Sequence, residues 1–493
     1  MSQKLAIAIS GAVSLGSFES GVMYEIIEAI AQHNQHPETT EDQKIIIDVI
    51  TGASAGAMTA AILTQKLLFE ADRLRDSHQN DIYRAWVEDA DIQTLLQPGD
   101  DDNPDMAILS SGFVKQVGNK YLLSRYRSPS PPSAQRHPAV ADNIHLGIAL
   151  SNLNGFDFTI SLTNIQGRLN SEENQESCFT YTRHKDCYIS KIQGNQQDDN
   201  ANLWELIKQI AIASGSFPFA FKVQEVTRLS SDSAYKGSDF YTEPEPGKEP
   251  NKKPFAYTDG GIFENEPLGM AISLAKKLDK SSRDYEKRFF LYVAPGPKSS
   301  TANKKFTSAQ ATYLNTARAL AGAIFTQSRF QDWIQVSETN QSVKEFDNQA
   351  WFLRDLLKEH PEKYSEFELV AAQLLQTLYV DNELSQQQRD ADNKRLKEQF
   401  KEEYQELANL GEDGEAIAIS WLKAVQALEK AANLGSKELL VVYAITAKDG
   451  ELAGERLSAF GGFFDKKFRK YDYYIGRAKA VDFLKEIQEK NSQ

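Results

Sequence analysis

A serine framed by glycines, Gly52-Ala53-Ser54-Ala55-Gly56, is the pattern in this chain best suited to nucleophilic chemistry. The β-branched run Ile45-Ile46-Ile47-Asp48-Val49-Ile50 precedes it, and a helix-forming run from Ala55 to Leu63 follows. A strand entering a helix through so tight a turn lifts the serine oxygen clear of the sheet, and the glycines let neighbouring backbone pass close. The following helix directs its N-terminal amides at the same point. The pattern predicts a nucleophile elbow of Gly52, Ala53, Ala55 and Gly56 around Ser54. Five such residues can also mark an ordinary tight turn; the strand before and the helix after favour the elbow.

The base that would serve Ser54 follows by elimination. A Ser-Asp-His triad of the α/β-hydrolase order needs a histidine after the acid. Of seven histidines only His360 lies beyond Asp259, in Lys358-Glu359-His360-Pro361, which reads as the end of a polar helix. A carboxylate acting directly on the serine remains. Asp259 is the candidate: Phe255-Ala-Tyr-Thr reads as a strand leading into Asp259-Gly260-Gly261. Those three residues taken alone also read as an Asp-Gly turn.

A third element opens the chain. Lys4–Ser10 reads as a buried strand, Gly11-Ala12-Val13-Ser14-Leu15-Gly16 as a loop, and the sequence through Phe18, Val22, Tyr24, Ile26, Ile27 and Ile30 as a helix. A glycine-containing loop that opens a helix presents backbone N–H groups to an anion. In acyl transfer that anion is the tetrahedral intermediate's oxygen. The competing reading is a phosphate loop, since Gly11 and Gly16 have Walker-type spacing. Ser17 stands where the lysine belongs, however, and no G-x-G-x-x-G is present.

In this order, the three pieces resemble the patatin-like phospholipase family, which carries a glycine-rich oxyanion loop, a G-x-S-x-G nucleophile and a D-G-[AG] acid. Ala211-Ile-Ala-Ser-Gly-Ser-Phe-Pro-Phe-Ala-Phe221 is similar to the family's helix end and small-residue turn running into a proline. Asp259–Pro267 is similar to its D-G-G-x-x-x-N-x-P, with Asn265 and Pro267 in place. Leu457–Arg477 is similar to the C-terminal segment of some larger bacterial members. The resemblance covers about residues 1–300 and the last 55 or so residues. It implies an α/β, three-layer fold with a mainly parallel central sheet.

The loop departs from the family's usual G-G-G-x-[RK]-G. Ala12 and Val13 replace two glycines, and Leu15 replaces the basic residue. Backbone donors survive those changes; a positive charge and some backbone freedom do not.

The resemblance and the residues together imply a serine lipid acyl hydrolase of phospholipase A type. Ser54 would be the nucleophile, Asp259 the base, and the Gly11–Gly16 amides the oxyanion donors, without metal or organic cofactor. The expected partner is a membrane phospholipid or another acyl-ester lipid. Two rivals stand beside this. One is an esterase or acyltransferase acting on neutral lipids or thioesters; the other is a non-catalytic, ligand-sensing module.

Composition bounds the rest. The 493 residues allow one large α/β domain with an insertion, or two domains, and 41% hydrophobic content supports a real core. A net charge of −14 argues against nucleic acid as a partner and against broad attraction to anionic lipid. No run approaches the roughly 18 apolar residues of a spanning helix, and Leu5–Val13 reads as the first strand rather than a leader. Cys178 and Cys187 are the only cysteines, which fits a reducing, cytoplasmic setting.

The expected layout is a catalytic core over 1–302, a helical insertion over 303–434 and a return to the core over 435–493. His145–Leu153, Phe156–Thr163 and Cys178–Ser190 read as strands after a Ser/Pro-rich connector at Arg127–Pro138. Asp100–Asp105 reads as a solvated acidic loop, and Thr227–Pro254 as a long flexible connection. Trp351, Phe352, Leu356, Leu374, Leu375 and Leu378 are apolar at helical spacing. Phe463–Lys479 interleaves aromatics with six Lys or Arg against two Asp. Two readings compete there: a peripheral membrane contact through Phe463, Phe464, Lys466, Lys467, Phe468, Arg469 and Lys470, or an aromatic seam packing the C-terminus onto the domain.

Overall fold

The parallel heart of the sheet is made from the most continuously apolar runs of the chain. In a computed structural model, Gln3–Ile9 forms β1 and Ile45–Gly52 forms β2, both buried along most of their length. Strands buried on both faces need such runs, because neither side meets water. The structure describes residues 2–99, 102–103, 105–127, 134–161, 178–195, 197–279, 288–296, 331–380, 386–432, 434, 440–455 and 459–491, with isolated positions between 307 and 323.

The remaining strands are β3 (Val140–Ser161), β4 (Cys178–Gln193), β5 (Gln224–Leu229), β6 (Lys252–Thr258), β7 (Arg288–Ala294) and β8 (Val442–Thr446). Their order is β5-β6-β3-β2-β1-β7-β8, with β4 also pairing β3. From β3 through β8 the pairs are parallel, while β4, β5 and β6 add antiparallel pairs. The fold is therefore mixed α/β around a mainly parallel sheet. One buried departure from apolarity is Asp48 in β2, which accepts two hydrogen bonds from Arg288 of β7, at 2.7 and 2.9 Å.

The helices used below are α1 (Gly16–Gln35), α2 (Ala55–Phe69), α3 (Ser111–Tyr121), α4 (Ala201–Ser214), α5 (Leu268–Asp279), α6 (Gln331–Glu359), α7 (Tyr364–Val380), α8 (Gln386–Gln399), α9 (Lys401–Ala408), α10 (Gly414–Ala431) and α11 (Lys466–Asn491). Among the described residues, none is long and apolar enough to cross a membrane.

The chain divides into two compact units, Met1–Asp332 with Val441–Gln493, and Trp333–Leu440. The second unit is helical and has its own core, in which Trp421 of α10 donates through Nε1 to the Ala350 carbonyl of α6 at 2.9 Å. Its buried face takes in only some of the residues at helical spacing: Trp351, Phe352 and Leu374 are exposed and Leu356 is half-buried, while Leu375 is buried along with Val343, Phe346, Ala350, Leu357 and Trp421. Much of 303–330, the Leu378 side chain and residues 435–439 lie outside the described residues, as do 128–133 of the expected connector and 162–163 of the expected strand.

The long connection at Thr227–Pro254 is a structured excursion rather than a free loop. Thr227, Arg228 and Leu229 pair antiparallel with Pro254, Lys253 and Lys252. Its middle is fastened by aromatics: Tyr235 lies 4.4 Å from Phe156 and Phe240 lies 5.1 Å from Phe255, ring centre to ring centre. Aromatic burial of this kind supplies the apolar area that the loop's polar composition hides. The acidic stretch also differs from a solvated loop at Asp102, whose carboxylate accepts from the Gly99 and Ser111 amides and the Ser110 hydroxyl.

Candidate active site

The carboxyl ends of β1 and β2 place the first two functional segments side by side. The Ala53 amide donates to the Ile9 carbonyl at 3.2 Å, tying the elbow to the end of β1. A Cβ on Gly56 would lie 2.3 Å from the Ser10 carbonyl oxygen, so only glycine lets helix α2 start this close to the neighbouring strand. Ser54 itself adopts φ 50° and ψ −123°, a conformation that costs a non-glycine residue about 1–3 kcal/mol.

Antiparallel β6 returns the acid to the same edge. Thr258 pairs with Ser151, beyond the point where Gly52 of β2 pairs with Ile148 of β3. Asp259 thus arrives opposite the elbow, 205 residues away in sequence. Ser54 Oγ donates to Asp259 Oδ2 at 2.6 Å, and the Gly261 amide donates to Asp259 Oδ1 at 2.7 Å. Asp259 is fully buried, and that desolvation pushes its carboxyl up to about 7 despite the two hydrogen bonds that favour the charged form. Among the described residues no histidine bonds Ser54.

A turn at the end of α4 holds the two residues together. Ser214 Oγ accepts from the Ser54 amide at 3.0 Å and donates to the Ala149 carbonyl at 2.7 Å. The Ser214 and Ser216 carbonyls accept from the Gly260 and Asp259 amides at 2.9 and 3.0 Å. Ser151 Oγ donates to the Asp259 carbonyl at 2.7 Å. Reasoning on single residues missed Ser151 and Ser214. The small-residue run around Ser214 was the available signal, but its partners are set by the fold.

The Gly11–Gly16 loop lies beside Ser54. A Cβ on Gly11 would lie 2.1 Å from Asn265 Oδ1 and 3.2 Å from Ser54 Cβ. Its six amides are not equivalent. Gly11 donates to the Asn265 carbonyl, Ser14 to the Ala459 carbonyl and Leu15 to the Ala12 carbonyl, at 3.0, 3.1 and 2.9 Å. The Ala12 and Val13 amides carry no such bond among the described residues, and Val13 sits at φ 51°. A phosphate cradle uses a run of free amides, so this spending of three of them on protein carbonyls argues against the phosphate-loop reading.

Ser54 lines an apolar cavity of about 90 Å³. Its walls include Val13, Met58, Trp86, Leu95, Phe113, Val117, Phe217, Phe221 and Phe463. Such an apolar lining suits a hydrocarbon chain.

The C-terminal segment splits the expected membrane contact in two. Phe463 is buried in the cavity wall, and Arg469 is 1% exposed, donating to the Val87, Gly462 and Phe463 carbonyls. These two cannot meet a bilayer. Arg469, Asp472, Tyr473, Gly476 and Ala480 form the buried stripe of α11 at helical spacing, whereas Phe464, Phe468, Lys467 and Lys470 face outward. Lys466 pairs with Glu88.

Over 365 residues the chain is 23% identical to the uncharacterized protein y4iI of Sinorhizobium fredii, covering 60% of this chain and 49% of that protein. It is 24% identical over 257 residues to the uncharacterized membrane protein Rv3479 of Mycobacterium tuberculosis, covering 52% of this chain and 21% of that one. The chain thus spans about half of the first relative's length and about a fifth of the second's. The crystal structure of VipD from Legionella pneumophila aligns over 87% of this chain and 90% of its own, at 12% identity and a TM-score of 0.29. The model of the family described as patatin-like phospholipase matches residues 7–272, more than half of the chain, and the protein belongs to that family.

Proposed function

We propose that this protein is a lipid acyl hydrolase that cleaves fatty-acyl esters of membrane phospholipids through a Ser54–Asp259 dyad. One observation carries the reading: the 2.6 Å hydrogen bond from Ser54 to a buried carboxylate, at the wall of an apolar cavity. Ser54 Oγ attacks the ester carbonyl while its proton passes to Asp259. The negative oxygen of the intermediate is held by the free Ala12 and Val13 amides, with the first-turn amides of α2. Asp259 returns the proton to the departing lysolipid oxygen. Water then enters, gives a proton to Asp259 and adds to the acyl carbonyl; the Ser54 oxygen leaves, taking that proton back from Asp259, and the fatty acid is released.

A carboxylate of ordinary pKa is a weak base. Burial that raises Asp259 to about 7 brings it near the ambient pH, where transfer from the serine is easier. The apolar lining of the cavity supports an acyl chain as the bound group. Leu96, Ile108, Phe219 and Phe464 are exposed and lie within two residues of buried or cavity-lining positions, which supports delivery of that chain from a lipid surface. Phe219 is 75% exposed and holds a positive φ of 67°.

The test is lipid mass spectrometry of phospholipid vesicles incubated with wild type and with Ser54→Ala. Free fatty acid and lysophospholipid should accumulate with wild type alone. Equal product from both proteins overturns the reading. Turnover should persist in excess chelator, because no step uses a metal; strict dependence on added calcium would reject the mechanism.

A further inference from the structure

We infer that Ser14 is a positioning residue: through it the C-terminal segment Ala459–Phe464 holds the oxyanion loop in its working shape. The inference rests on the catalytic reading above. Ser14 is fully buried and 445 residues from Ala459 in sequence. Its amide and its hydroxyl both donate to the Ala459 carbonyl, the amide at 3.1 Å, and its Oγ accepts from the Gly462 amide at 3.0 Å. Three hydrogen bonds therefore converge on the residue next to Val13, one of the two unspent amides.

The loop needs an external hold because of its own residues. Val13 stands at φ 51°, in the region where a β-branched side chain is strained and glycine is not. Ala459, the acceptor, is itself at φ 66°. Two strained backbones facing each other persist only when surrounding bonds over-determine them.

The outer partner is rigid. Arg469 of α11 holds the Gly462 and Phe463 carbonyls from behind. Asp472 accepts from the Ala453 and Gly454 amides at 2.7 and 2.9 Å, and a Cβ on Gly454 would lie 2.8 Å from the Leu15 side chain. The same strap carries Phe463 into the cavity wall. Glycine-to-alanine and glycine-to-valine changes in the loop are thus matched by a remote clamp on the residue that follows them.

The experiment compares wild type, Ser14→Ala and Gly462→Ala, whose new Cβ would lie 2.6 Å from Ser14 Oγ. Three readouts are taken per folded molecule: hydrolysis of 4-nitrophenyl butyrate, affinity for an alkyl trifluoromethyl ketone, and affinity for the matching alkyl ether. Ser54 Oγ adds to the ketone carbon, its proton passes to Asp259, and the ketone oxygen becomes the bound oxyanion; the ether forms no such adduct. Both variants should lose roughly 10- to 100-fold in kcat/KM, with KM little changed and ketone affinity falling by the same factor. Ether affinity should stay within about twofold of wild type. If either variant fails to fold, the other carries the test from the opposite side of the contact.

Unchanged kcat/KM, or ketone and ether affinities falling together, overturns the inference and makes Ser14 a packing residue. Wild type that does not hydrolyse the ester, or Ser54→Ala hydrolysing it as fast as wild type, would reject the catalytic reading instead.

Discussion

The proposed nucleophile elbow and oxyanion loop are both strand-to-helix turns at the carboxyl ends of central strands, and both hold a non-glycine residue at positive φ. They are stabilised differently. The elbow draws on the strand before it, the helix after it and the adjacent end of β1, with Ser214 supplying one further bond. Its glycines remain, so backbones can touch. The loop carries Ala12 and Val13 between its glycines, and its Ser14 is bonded to Ala459 and Gly462 at the far end of the chain. A turn that keeps its glycines can be held largely by its neighbours; one that trades them for side chains needs support from elsewhere.

Removing the dyad should produce the largest effect. Ser54→Ala and Asp259→Asn are each expected to lower turnover by roughly three to four orders of magnitude, and the double variant by no more than the worse single one. Steady-state rates on a soluble ester check this, and additive losses would separate the two residues' roles.

Next in size is a direct strike on the elbow. Gly56→Ala drives a Cβ against the Ser10 and Ile9 carbonyls, at 2.3 and 2.5 Å. It should destabilise the protein by about 1–3 kcal/mol and reduce fluorophosphonate labelling of Ser54. A variant that melts and labels like wild type would show that the elbow tolerates what its geometry forbids.

The acid sets a pH signature. Asp259 must be ionised to take the serine proton, so kcat/KM should rise with pH through about 7 and level off above it. Stability should run the other way. A carboxyl raised from 3.8 to about 7 on folding contributes most stability below its unfolded pKa and loses it as pH climbs through about 7. Asp259→Asn should therefore gain on wild type in thermal melts between pH 4 and pH 8. An activity profile flat from pH 5 to 9 would remove Asp259 as the base.

The smallest effect tests which face of the C-terminal segment serves the loop. Lys466, Lys467 and Lys470 lie off the buried stripe, so changing all three to glutamine should leave soluble-ester turnover intact. Binding to anionic vesicles should weaken by less than about threefold at 0.1 M salt, where surface charge is screened within roughly 10 Å. A tenfold loss in vesicle sedimentation would restore a membrane role to those lysines.

What the chain determined by itself is the set of reactive parts. Strand, turn and helix at 45–63 lie within one short stretch, where apolar runs and glycine spacing carry local structure. Asp259 emerged from the positions of seven histidines. The α/β class followed from buried-type strands alternating with helices. Tertiary structure decided what those parts could not state. It brought Ser54 and Asp259 together through an antiparallel return strand and made Ser214 the link between them. It also left the Ala12 and Val13 amides without a hydrogen bond among the described residues, and sorted Phe463 and Arg469 inward from Phe464 and Lys467 outward. In the helical unit it buried Trp421 while exposing Trp351, since several faces of a helix can carry apolar residues and only packing selects one. Local sequence fixes backbone preference over a few residues. The partner of a hydrogen bond 445 residues away, and the water-free surroundings that raise a carboxyl to about 7, exist only once the chain has closed on itself.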